Sequence, residues 1–357
     1  MDQHDRDENR SGDDAGEFDL LIIGAGPAGL AAACAAQDAG LSYAVVDRAG
    51  PVQSLVGHPQ QIRYFSPADE MAIGGIPFPV AGGHKPTRED ALAYYRAVAA
   101  ARHLNLCTWE EVTGLQPVSD PRGFLVRTEP RVAGEGTGPI VRRARCLLVC
   151  AGTFHTPRAL HEVPGAGLPN VLRRLHDPTP YFGRKVLVVG GGNSAATAAM
   201  TLAEAGAEVT LAMRRPPDPS HSHLRPFIVR DLLIMAEEKR LILRTNVMLA
   251  GVTPTTVDLA RYPAYPLLEG QREAEPVTLP NDFVFAMLGY QADPCLFQTL
   301  GLPLATDGLP IYDEATAETP TPGIFIAGSL SRANIILESR RRAVEIVALV
   351  RERLRGV

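Results

Sequence analysis

Three closely spaced glycines follow a short apolar segment near the start of the chain, in Leu20-Leu21-Ile22-Ile23-Gly24-Ala25-Gly26-Pro27-Ala28-Gly29. The unbroken apolar run predicts a buried parallel strand. Gly24 allows the tight turn after it, Gly26 lets the backbone approach a pyrophosphate, and Gly29 lets the next, Ala-rich helix pack on the strand. Free N–H groups at the start of that helix favour an anion. The pattern therefore predicts a loop that binds the pyrophosphate of a dinucleotide.

An acidic residue stands where such a loop would meet the ribose of the dinucleotide. Residues 42–46 predict a second buried strand, and Asp47 follows it, twenty-three residues after Gly24 (47 − 24). A carboxylate at this spacing can accept hydrogen bonds from both hydroxyls of an adenosine ribose. We therefore expect Asp47 to bind the adenosine part of the first dinucleotide and to favour a free 2′-hydroxyl.

The same arrangement occurs a second time, in Lys185-Val186-Leu187-Val188-Val189-Gly190-Gly191-Gly192-Asn193-Ser194-Ala195. Alanine is accepted at the third position of the glycine motif. Gly190 stands 166 residues after Gly24, and Met213 stands 166 residues after Asp47 (190 − 24 and 213 − 47). Two copies in one chain predict two dinucleotide-binding domains.

The two copies differ where the ribose would lie, because Met213-Arg214-Arg215 replaces the acidic residue of the first copy. Arginines at this point favour a 2′-phosphate, with which they form charge-assisted and often bidentate hydrogen bonds. The second site is therefore predicted to bind NADPH through Arg214 and Arg215.

Two further strand ends carry glycines that could face a cofactor. A strand over residues 142–149 leads into Cys150-Ala151-Gly152, which would let the backbone pass close to a bound dinucleotide. Another leads into Ala327-Gly328-Ser329, and a long helix follows over residues 335–353. The start of that helix could direct N–H groups and a positive dipole end at a reduced, anionic ring.

Composition excludes several classes of function. The chain has 357 residues, of which 45% are hydrophobic and 21% charged, as is ordinary for a globular protein. A net charge of −5 leaves no basic footprint for nucleic acid, and no apolar stretch is long enough to span a membrane. No secretion signal is visible, and five cysteines in this length suggest a reducing, cytoplasmic setting.

The predicted fold class is α/β, with two Rossmann-like dinucleotide-binding domains. Each is expected to have the three-layer ββα arrangement, with two layers of β-strands and one of α-helices. Residues 1–17 are expected to form a disordered acidic tail. Residues 106–109, 111–115, 123–128 and 142–149 are predicted to form a small β-meander. Thr87 and Asp90 are predicted to cap a helix over residues 87–103.

These motifs resemble the low-molecular-weight flavoprotein reductases of the thioredoxin reductase type, and within them the bacillithiol disulfide reductases. The resemblance covers residues 18–350. Beyond the glycine loops and Arg214-Arg215, the motifs that carry it are Tyr64-Phe65-Ser66-Pro67, Ile73-Gly74-Gly75-Ile76-Pro77-Phe78, Lys85-Pro86-Thr87-Arg88, Tyr94-Tyr95-Arg96 and Ala333-Asn334-Ile335-Ile336-Leu337-Glu338-Ser339-Arg340. It implies a thioredoxin-reductase-like fold in which residues 18–165 form the first part of an FAD-binding domain, 166–289 an inserted NADPH-binding domain, and 290–357 the rest of the FAD-binding domain. It also implies FAD and NADPH as cofactors and an assembly of two or more copies of the chain.

Motifs and resemblance together give the predicted cofactor-binding residues. Those expected to bind FAD are Gly24, Gly26, Pro27, Ala28, Gly29, Asp47, Arg48, Ser66, Val112, Ala151, Gly152, Gly328, Ser329, Asn334 and Ile335. Those expected to bind NADPH are Gly190, Gly192, Asn193, Ser194, Ala195, Arg214 and Arg215. No metal site is expected, because His221 and His223 lack a third ligand nearby and are predicted to line the NADPH phosphate pocket.

The chain departs from the family pattern at two positions. Ala28 stands where many bacillithiol disulfide reductases carry a cysteine that has been proposed as their redox group, and Ser329 stands where relatives carry an aspartate that holds the flavin's ribityl chain. The sequence also contains no Cys-x-x-Cys pair, and Cys34, Cys146 and Cys150 are predicted to be packed in the core. No side chain is therefore assigned as a catalytic acid, base or nucleophile.

The predicted function is hydride transfer from NADPH to FAD and on to a small disulfide such as bacillithiol disulfide, as part of redox homeostasis. Three alternatives stay open at this point. These are a reductase for ferredoxin or flavodoxin, a flavin monooxygenase suggested by Gly152-Thr153-Phe154-His155, and a flavin redox sensor with little turnover.

Overall fold

The computed structural model describes residues 16–60, 62–80, 84–119, 122–132, 138–154, 156–160, 162–218, 224–262, 276–333 and 335–356. Its strands are β1 Glu17–Ile23, β2 Tyr43–Asp47, β3 Leu106–Thr108, β4 Glu110–Ser119, β5 Arg122–Pro130, β6 Ile140–Val149, β7 Thr156–Pro157, β8 Val171–Leu172, β9 Lys185–Val189, β10 Glu208–Met213, β11 Ile242–Thr245, β12 Val247–Val252, β13 Thr256–Arg261, β14 Val277–Pro280, β15 Phe283–Ala286, β16 Tyr290–Gln291 and β17 Ile324–Ile326. Its α-helices are α1 Pro27–Asp38, α2 Gln53–Val56, α3 Ala68–Met71, α4 Arg88–Ala101, α5 Asn193–Glu204, α6 Pro226–Glu237, α7 Pro294–Thr299 and α8 Ile336–Arg355. Short 3₁₀ helices span Thr179–Tyr181 and Gly328–Ser331.

The chain forms two compact units. The described parts of residues 16–56, 62–154 and 292–356 make up unit 1, and those of residues 57–60 and 156–291 make up unit 2. The predicted acidic tail falls almost wholly on residues 1–15, which lie outside the described residues, whereas Glu17 is already the first residue of β1. The predicted domain boundaries themselves stay a prediction.

Unit 1 is built on one sheet with the strand order β3-β2-β1-β6-β5-β4, and β17 also pairs with β6. Strands β3, β2, β1, β6 and β17 run parallel, whereas β4, β5 and β6 form an antiparallel meander. Along β1, Leu20 and Ile22 pack in the core with α1, α4 and α8. Leu21 and Ile23 pack on the other face, with residues of the meander and α7. A parallel sheet between a helical layer and a meander is the predicted three-layer arrangement.

The predicted meander is correct for β4, β5 and β6 but wrong for residues 106–109. Leu106–Thr108 instead extends the parallel sheet, with Val46 opposite Cys107. Trp109, which follows directly, adopts the left-handed conformation with φ 59°. Because this residue redirects the backbone, the chain leaves β3 at the sheet edge and starts the meander with β4.

Unit 2 repeats the same layers. Its parallel sheet has the strand order β11-β10-β9-β15-β8, and β12, β13 and β14 form a separate antiparallel sheet. Leu211 packs in the core with helices α5 and α6, whereas the neighbouring Ala212 packs with residues of the antiparallel sheet. The predicted α/β fold with two Rossmann-like units is therefore confirmed.

Helix α4 begins with the predicted capping box. The Thr87 side chain accepts a hydrogen bond from the Asp90 backbone N–H, and the Asp90 carboxylate accepts one from the Thr87 backbone N–H. Two hydroxyls of α4 then hold the preceding loop, since Tyr94 donates to the Ile76 carbonyl at 2.7 Å and Tyr95 donates to the Met71 carbonyl at 3.0 Å. Helix α4 therefore fixes the segment that carries the motif Ile73-Gly74-Gly75-Ile76-Pro77-Phe78.

Candidate functional site

The first glycine loop connects β1 to α1 in the way that the sequence predicts. Gly24 has φ 109°, and a Cβ atom there would lie 2.6 Å from the Cys150 carbonyl oxygen. A Cβ atom at Gly29 would lie only 1.9 Å from the Gly24 carbonyl oxygen. Both positions therefore require glycine, the first for the turn and the second for packing of α1 against the loop.

Gly26 has a different reason to be glycine. It is the N-cap of α1 with φ −73°, a conformation open to any residue, and a Cβ atom there would meet no protein atom within 4 Å. Pro27 follows at the first helical position, and no side chain caps the helix. Open space in front of uncapped N–H groups is the cradle that a pyrophosphate would fill.

The Asp47 carboxylate lies beside this loop at the end of β2. Its Oδ2 accepts a hydrogen bond of 2.7 Å from the Ala25 backbone N–H, and its Oδ1 accepts one of 2.8 Å from the Ala49 backbone N–H. Burial raises the pKa of Asp47, and the two backbone hydrogen bonds oppose that rise. Each oxygen keeps a further lone pair that could accept a ribose hydroxyl.

A cavity of about 320 Å³ opens at the carboxyl ends of β1 and β2. Five predicted residues lie in its wall, namely Gly24, Asp47, Arg48, Val112 and Ala151. Sequence reasoning missed the others that complete the polar wall, which include Glu110, Glu111, Thr113, Asp293, Cys295 and Thr299. The structure thus brings five of the predicted FAD residues together in one place.

The Arg48 side chain forms ion pairs with two residues of the cavity wall that are distant in sequence. Its guanidinium lies 2.7 Å from a carboxylate oxygen of Asp293 and 3.8 Å from one of Glu111. Asp293 is also the N-cap of α7 and accepts a hydrogen bond from the Cys295 backbone N–H. Asp293-Pro294 is a recognisable helix start, but nothing in the local sequence says that this helix lies against β4.

A second group of predicted residues meets where α1, the segment after β6 and the last 3₁₀ helix converge. A Cβ atom at Gly328, which has φ 73°, would lie 3.3 Å from the Ala28 Cβ. The Ser329 Oγ accepts a hydrogen bond of 2.9 Å from the Thr153 backbone N–H, and lies 3.6 Å from the position of a Cβ at Gly152. The Ser329 hydroxyl is therefore held by a hydrogen bond to the backbone of the segment after β6.

The remaining predicted FAD residues lie apart from the cavity wall. Ser66 is half-buried in the segment before α3, and Ile335 is the N-cap of α8 in an extended conformation. Asn334 lies outside the described residues. Arg340 connects these regions, because its Nε donates a 2.7 Å hydrogen bond to the Glu70 carbonyl.

The second glycine loop, in unit 2, has the same construction. Gly190 has φ 150°, and a Cβ atom there would lie 2.3 Å from the Met287 carbonyl oxygen. Gly192 is the N-cap of α5, and a Cβ atom there would meet nothing within 4 Å. Ala195 is fully buried, whereas Ser194 is exposed in the first turn of α5. The Asn193 Oδ1 accepts a hydrogen bond of 2.8 Å from the Arg225 backbone N–H.

Arg214 and Arg215 follow directly after β10 and are both exposed, whereas Met213 before them is buried. The Arg214 guanidinium carbon lies 5.4 Å from the centre of the Tyr262 ring. No ion pair to an acidic residue involves Arg214 among the described residues. The strand end thus presents positive charge where the first unit presents the Asp47 carboxylate.

All five cysteines are free thiols. Cys34, Cys146 and Cys150 are buried, as predicted, and burial raises the pKa of Cys146 to about 11 and that of Cys150 to about 12. Cys295 is exposed. His221 and His223 lie outside the described residues, and no cluster of three metal-binding side chains occurs in the part of the chain that the structure describes. Nor does any described helix have the length and apolar character needed to cross a membrane.

Comparison with known families decides the class of this protein. Residues 21–328 match the family model described as pyridine nucleotide-disulphide oxidoreductase. The chain belongs to this family. It is therefore a flavin-dependent oxidoreductase that uses FAD and NAD(P)H, which confirms the predicted enzyme class and cofactors.

Individual relatives agree with the family resemblance. The chain is 29% identical to bacilliredoxin reductase Bdr of Bacillus subtilis (strain 168), over 88% of this chain and 90% of that protein. Its fold matches bacillithiol disulfide reductase Bdr from Bacillus cereus with a TM-score of 0.82 and 29% identity, covering 94% of this chain and 99% of that one. It is also 26% identical to a ferredoxin–NADP reductase of Ignicoccus hospitalis, over 88% of this chain and 90% of that protein.

Proposed function

We propose that this protein is an NADPH-dependent reductase that uses bound FAD to reduce a small disulfide, such as bacillithiol disulfide. The observation that carries the proposal is the contrast between two similar glycine cradles. One has a carboxylate, Asp47, at the ribose position, whereas the other has Arg214 and Arg215. A free ribose hydroxyl suits the first, and a 2′-phosphate suits the second.

Unit 1 is proposed to be the FAD-binding domain and unit 2 the NADPH-binding domain. In unit 1, the space at Gly26 would take the pyrophosphate, and the cavity of about 320 Å³ between Asp47 and Val112 would take the adenosine. The Ala28–Gly328 contact and the Ser329–Thr153 hydrogen bond would hold the backbone against the rest of the cofactor. In unit 2, the space at Gly192 would take the second pyrophosphate.

When bound, FAD supplies a ring that takes up a hydride and releases two electrons, which the side chains of this protein cannot do. The residues of the two cradles bind and orient. The uncapped N-termini of α1 and α5 direct N–H groups and a positive dipole end at the phosphates. Asp47 fixes the glycine loop through its hydrogen bond to Ala25, so that the loop is shaped before the nucleotide arrives.

No protein dithiol takes part in the proposed reaction. Ala28 occupies the position of the family cysteine, and Cys34, Cys146 and Cys150 are buried. The net reaction converts NADPH, one disulfide and a proton to NADP⁺ and two thiols. Because Ala28 has no thiol, this position would form no mixed disulfide with the substrate, and the two electrons would have to be supplied by the bound cofactor.

A ferredoxin–NADP reductase is the second candidate. Two observations favour it, namely the similarity to reductases of that name and the lack of a thiol at Ala28. An acceptor that takes single electrons needs no thiol relay. The two candidates share their cofactors and differ in the acceptor alone.

Anaerobic reduction of the flavin by NADPH, followed by separate additions of acceptors, distinguishes the candidates. Reoxidation by bacillithiol disulfide within the catalytic time, with release of two thiols per NADPH, supports the proposal. Reoxidation by ferredoxin or flavodoxin but not by disulfides would support the second candidate. Reoxidation only by oxygen with a hydroxylated amine or sulfide would indicate a monooxygenase, and no acceptor at all would indicate a redox sensor.

A reducing, cytoplasmic setting and a homodimer or larger assembly complete the proposal. Five free thiols support the setting. The assembly is tested by light scattering on the eluted peak of a size-exclusion column.

A further inference from the structure

An aromatic ring lies against one of the two arginines that are proposed to bind the 2′-phosphate. The Arg214 guanidinium carbon lies 5.4 Å from the centre of the Tyr262 ring, within the range of a cation–π contact. Tyr262 follows β13, the middle strand of the antiparallel sheet in unit 2. The residue is separated from Arg214 by 48 positions (262 − 214), so no local sequence pattern connects the two.

The Tyr262 backbone is fixed by a neighbouring buried residue. Its N–H donates a hydrogen bond of 2.8 Å to the Asn246 carbonyl. Asn246 stands between β11 and β12, is 4% exposed and adopts the left-handed conformation with φ 59°. The ring is also half-buried. The backbone of Tyr262 is therefore hydrogen-bonded to a buried residue directly before β12, and its side chain offers Arg214 a half-buried aromatic surface.

A further positive charge stands on the neighbouring strand β11. Arg244 in β11 stands opposite Ala212 in β10, two residues before Arg214. Its Nε is buried and has no hydrogen-bond partner among the described residues. Neither Arg214 nor Arg244 forms an ion pair with an acid in the described part of the chain. The charges of Arg214 and Arg244 are therefore not paired with an acid within the described residues, which favours an anionic ligand.

We propose that Tyr262 is a positioning residue for coenzyme choice, because its ring holds the Arg214 guanidinium ready for the 2′-phosphate of NADPH. This inference rests on the proposed function of unit 2. An exposed arginine loses rotamer freedom when it binds a phosphate, and that loss weakens binding. A guanidinium stacked on a ring has already lost part of this freedom, while its N–H edge stays available for bidentate hydrogen bonds.

Two variants distinguish the contribution of the Tyr262 ring from that of its hydroxyl group. Tyr262→Leu removes the aromatic face, whereas Tyr262→Phe keeps it and is the matched control. The probes are adenosine 2′,5′-bisphosphate, which carries the 2′-phosphate, and adenosine 5′-monophosphate, which lacks it. Their dissociation constants are measured by isothermal titration calorimetry on the FAD-loaded protein, so the readout does not depend on turnover.

Tyr262→Leu is expected to weaken binding of the bisphosphate about two- to fivefold and to leave the monophosphate unchanged, which matches an exposed cation–π contact. Tyr262→Phe should bind both probes as the parent does. In an Arg214→Ala background, Tyr262→Leu should have no further effect, because the two residues act through one contact. The ratio of kcat/KM for NADPH and NADH should fall by the same factor.

The inference is overturned if Tyr262→Leu leaves the bisphosphate affinity unchanged, or weakens both probes equally, while Arg214→Ala weakens the bisphosphate alone. If the parent itself binds both probes equally, the proposed NADPH assignment of unit 2 fails as well. Flavin content and thermal unfolding verify that each variant is folded. Should the leucine variant not fold, Tyr262→Met, an apolar side chain without a ring, takes its place with the same expected outcome.

Discussion

The Asp47 carboxylate connects the end of β2 to the first glycine loop, since its Oδ2 lies 2.7 Å from the Ala25 backbone nitrogen. Its other oxygen accepts a hydrogen bond from the Ala49 backbone N–H at 2.8 Å. The two hydrogen bonds together require that both oxygens of the side chain act as acceptors, as in a carboxylate. The residue thus shapes the loop and also presents charge to the cavity that is proposed to take the adenosine of FAD.

We expect Asp47→Ala to weaken FAD binding about tenfold or more, because a hydrogen bond to a charged group contributes about 1.5–3 kcal/mol. Asp47→Asn should fall between the parent and the alanine variant, because its NH₂ group cannot accept from a backbone N–H. The measurements are the flavin-to-protein absorbance ratio after purification and the titration of apoprotein with FAD. Glu129→Ala, which removes an exposed acid on β5, is the control and should retain FAD. Mass spectrometry that finds FMN in the parent would contradict the assignment.

Thiol chemistry gives a second prediction. Cys295 is the one exposed cysteine, Cys107 is half-buried, and Cys34, Cys146 and Cys150 are buried with raised pKa values. A thiol-reactive disulfide dye should therefore label one cysteine of the folded apoprotein rapidly, and Cys295→Ser should abolish that fast phase. NADPH-dependent reduction of the substrate disulfide should continue in Cys295→Ser with kcat within about twofold of the parent, since no protein thiol is needed. A loss of turnover on this substitution would show that the thiol takes part.

The capping box of α4 predicts how stability depends on pH. The Thr87 backbone and side chain donate to the Asp90 carboxylate, and these hydrogen bonds lower the pKa of Asp90 in the native protein. The stabilisation is therefore present above the ordinary pKa of about 4 and is lost as the pH falls through the lower native value.

Thr87→Ala removes this cap and should lower the free energy of unfolding by about 1 kcal/mol at pH 7. The difference from the parent should shrink as the pH is lowered from 5 towards 3, because protonated Asp90 no longer accepts in the parent. Urea unfolding of unit 1, followed by the release of flavin fluorescence, measures both effects. Thr87→Ser keeps the capping oxygen and should resemble the parent throughout. A pH-independent difference would mean that Asp90 is not part of the stabilisation.

The glycine loops and their helices could be predicted from the sequence because each depends on local geometry. The clash that a Cβ atom at Gly29 would make with the Gly24 carbonyl involves residues five positions apart. The Thr87–Asp90 cap likewise lies within one helical turn. Such features depend only on residues that are close together in the sequence, so the spacing of residue types is enough to predict them.

Contacts between residues that are distant in the sequence could not be predicted in this way. Arg48 pairs with Asp293, which stands 245 residues further along the chain. The separation is this large because most of unit 2 is inserted between the two residues in the sequence. The chain leaves the edge strand β3 at Trp109, which adopts a left-handed conformation that is uncommon for a large aromatic residue. Tyr262 lies near Arg214 only because β13 belongs to the layer that packs beside Ala212. Periodicity and spacing carry no information on any of these contacts.

Coenzyme choice is expected to depend on Arg214 and Arg215. Replacing both by alanine should raise the KM for NADPH tens- to hundreds-fold, from the loss of charged hydrogen bonds of about 1.5–3 kcal/mol each. The KM for NADH should change little, because NADH has no phosphate at this position. The decisive quantity is the ratio of kcat/KM for the two coenzymes, which should approach one in the double variant and decrease with added salt in the parent.

Arg230→Ala is the control for this experiment, because Arg230 is an exposed arginine of unit 2 that pairs with Asp231. It should keep the parent's preference for NADPH. Equal use of both coenzymes by the parent would mean that the 166-residue repeat of the sequence (190 − 24) misplaces the ribose pocket, and the assignment of the second nucleotide would fail with it.

Two glycines of the first loop should respond to alanine in opposite ways. A Cβ atom at Gly29 would overlap the Gly24 carbonyl, 1.9 Å away, so Gly29→Ala should prevent the native loop from forming. A Cβ atom at Gly26 would meet no protein atom within 4 Å, and the φ of −73° suits alanine. The methyl group would instead occupy the space that is proposed to hold the FAD pyrophosphate.

Gly26→Ala should therefore yield a folded apoprotein whose thermal midpoint lies at or slightly above that of the parent apoprotein, since alanine restricts the unfolded chain more than glycine does. Its affinity for FAD should nevertheless fall by at least about tenfold, which corresponds to a loss of about 1.4 kcal/mol in binding free energy. Even a modest displacement of the pyrophosphate from its N–H donors would cost more than this. Gly192→Ala is the matched variant in unit 2 and should lose NADPH affinity while keeping FAD. Thermal unfolding of the apoproteins and titration with FAD and NADPH measure the two effects independently. A Gly26→Ala protein that binds FAD as the parent does would place the pyrophosphate elsewhere, and the functional assignment of this loop would then be wrong.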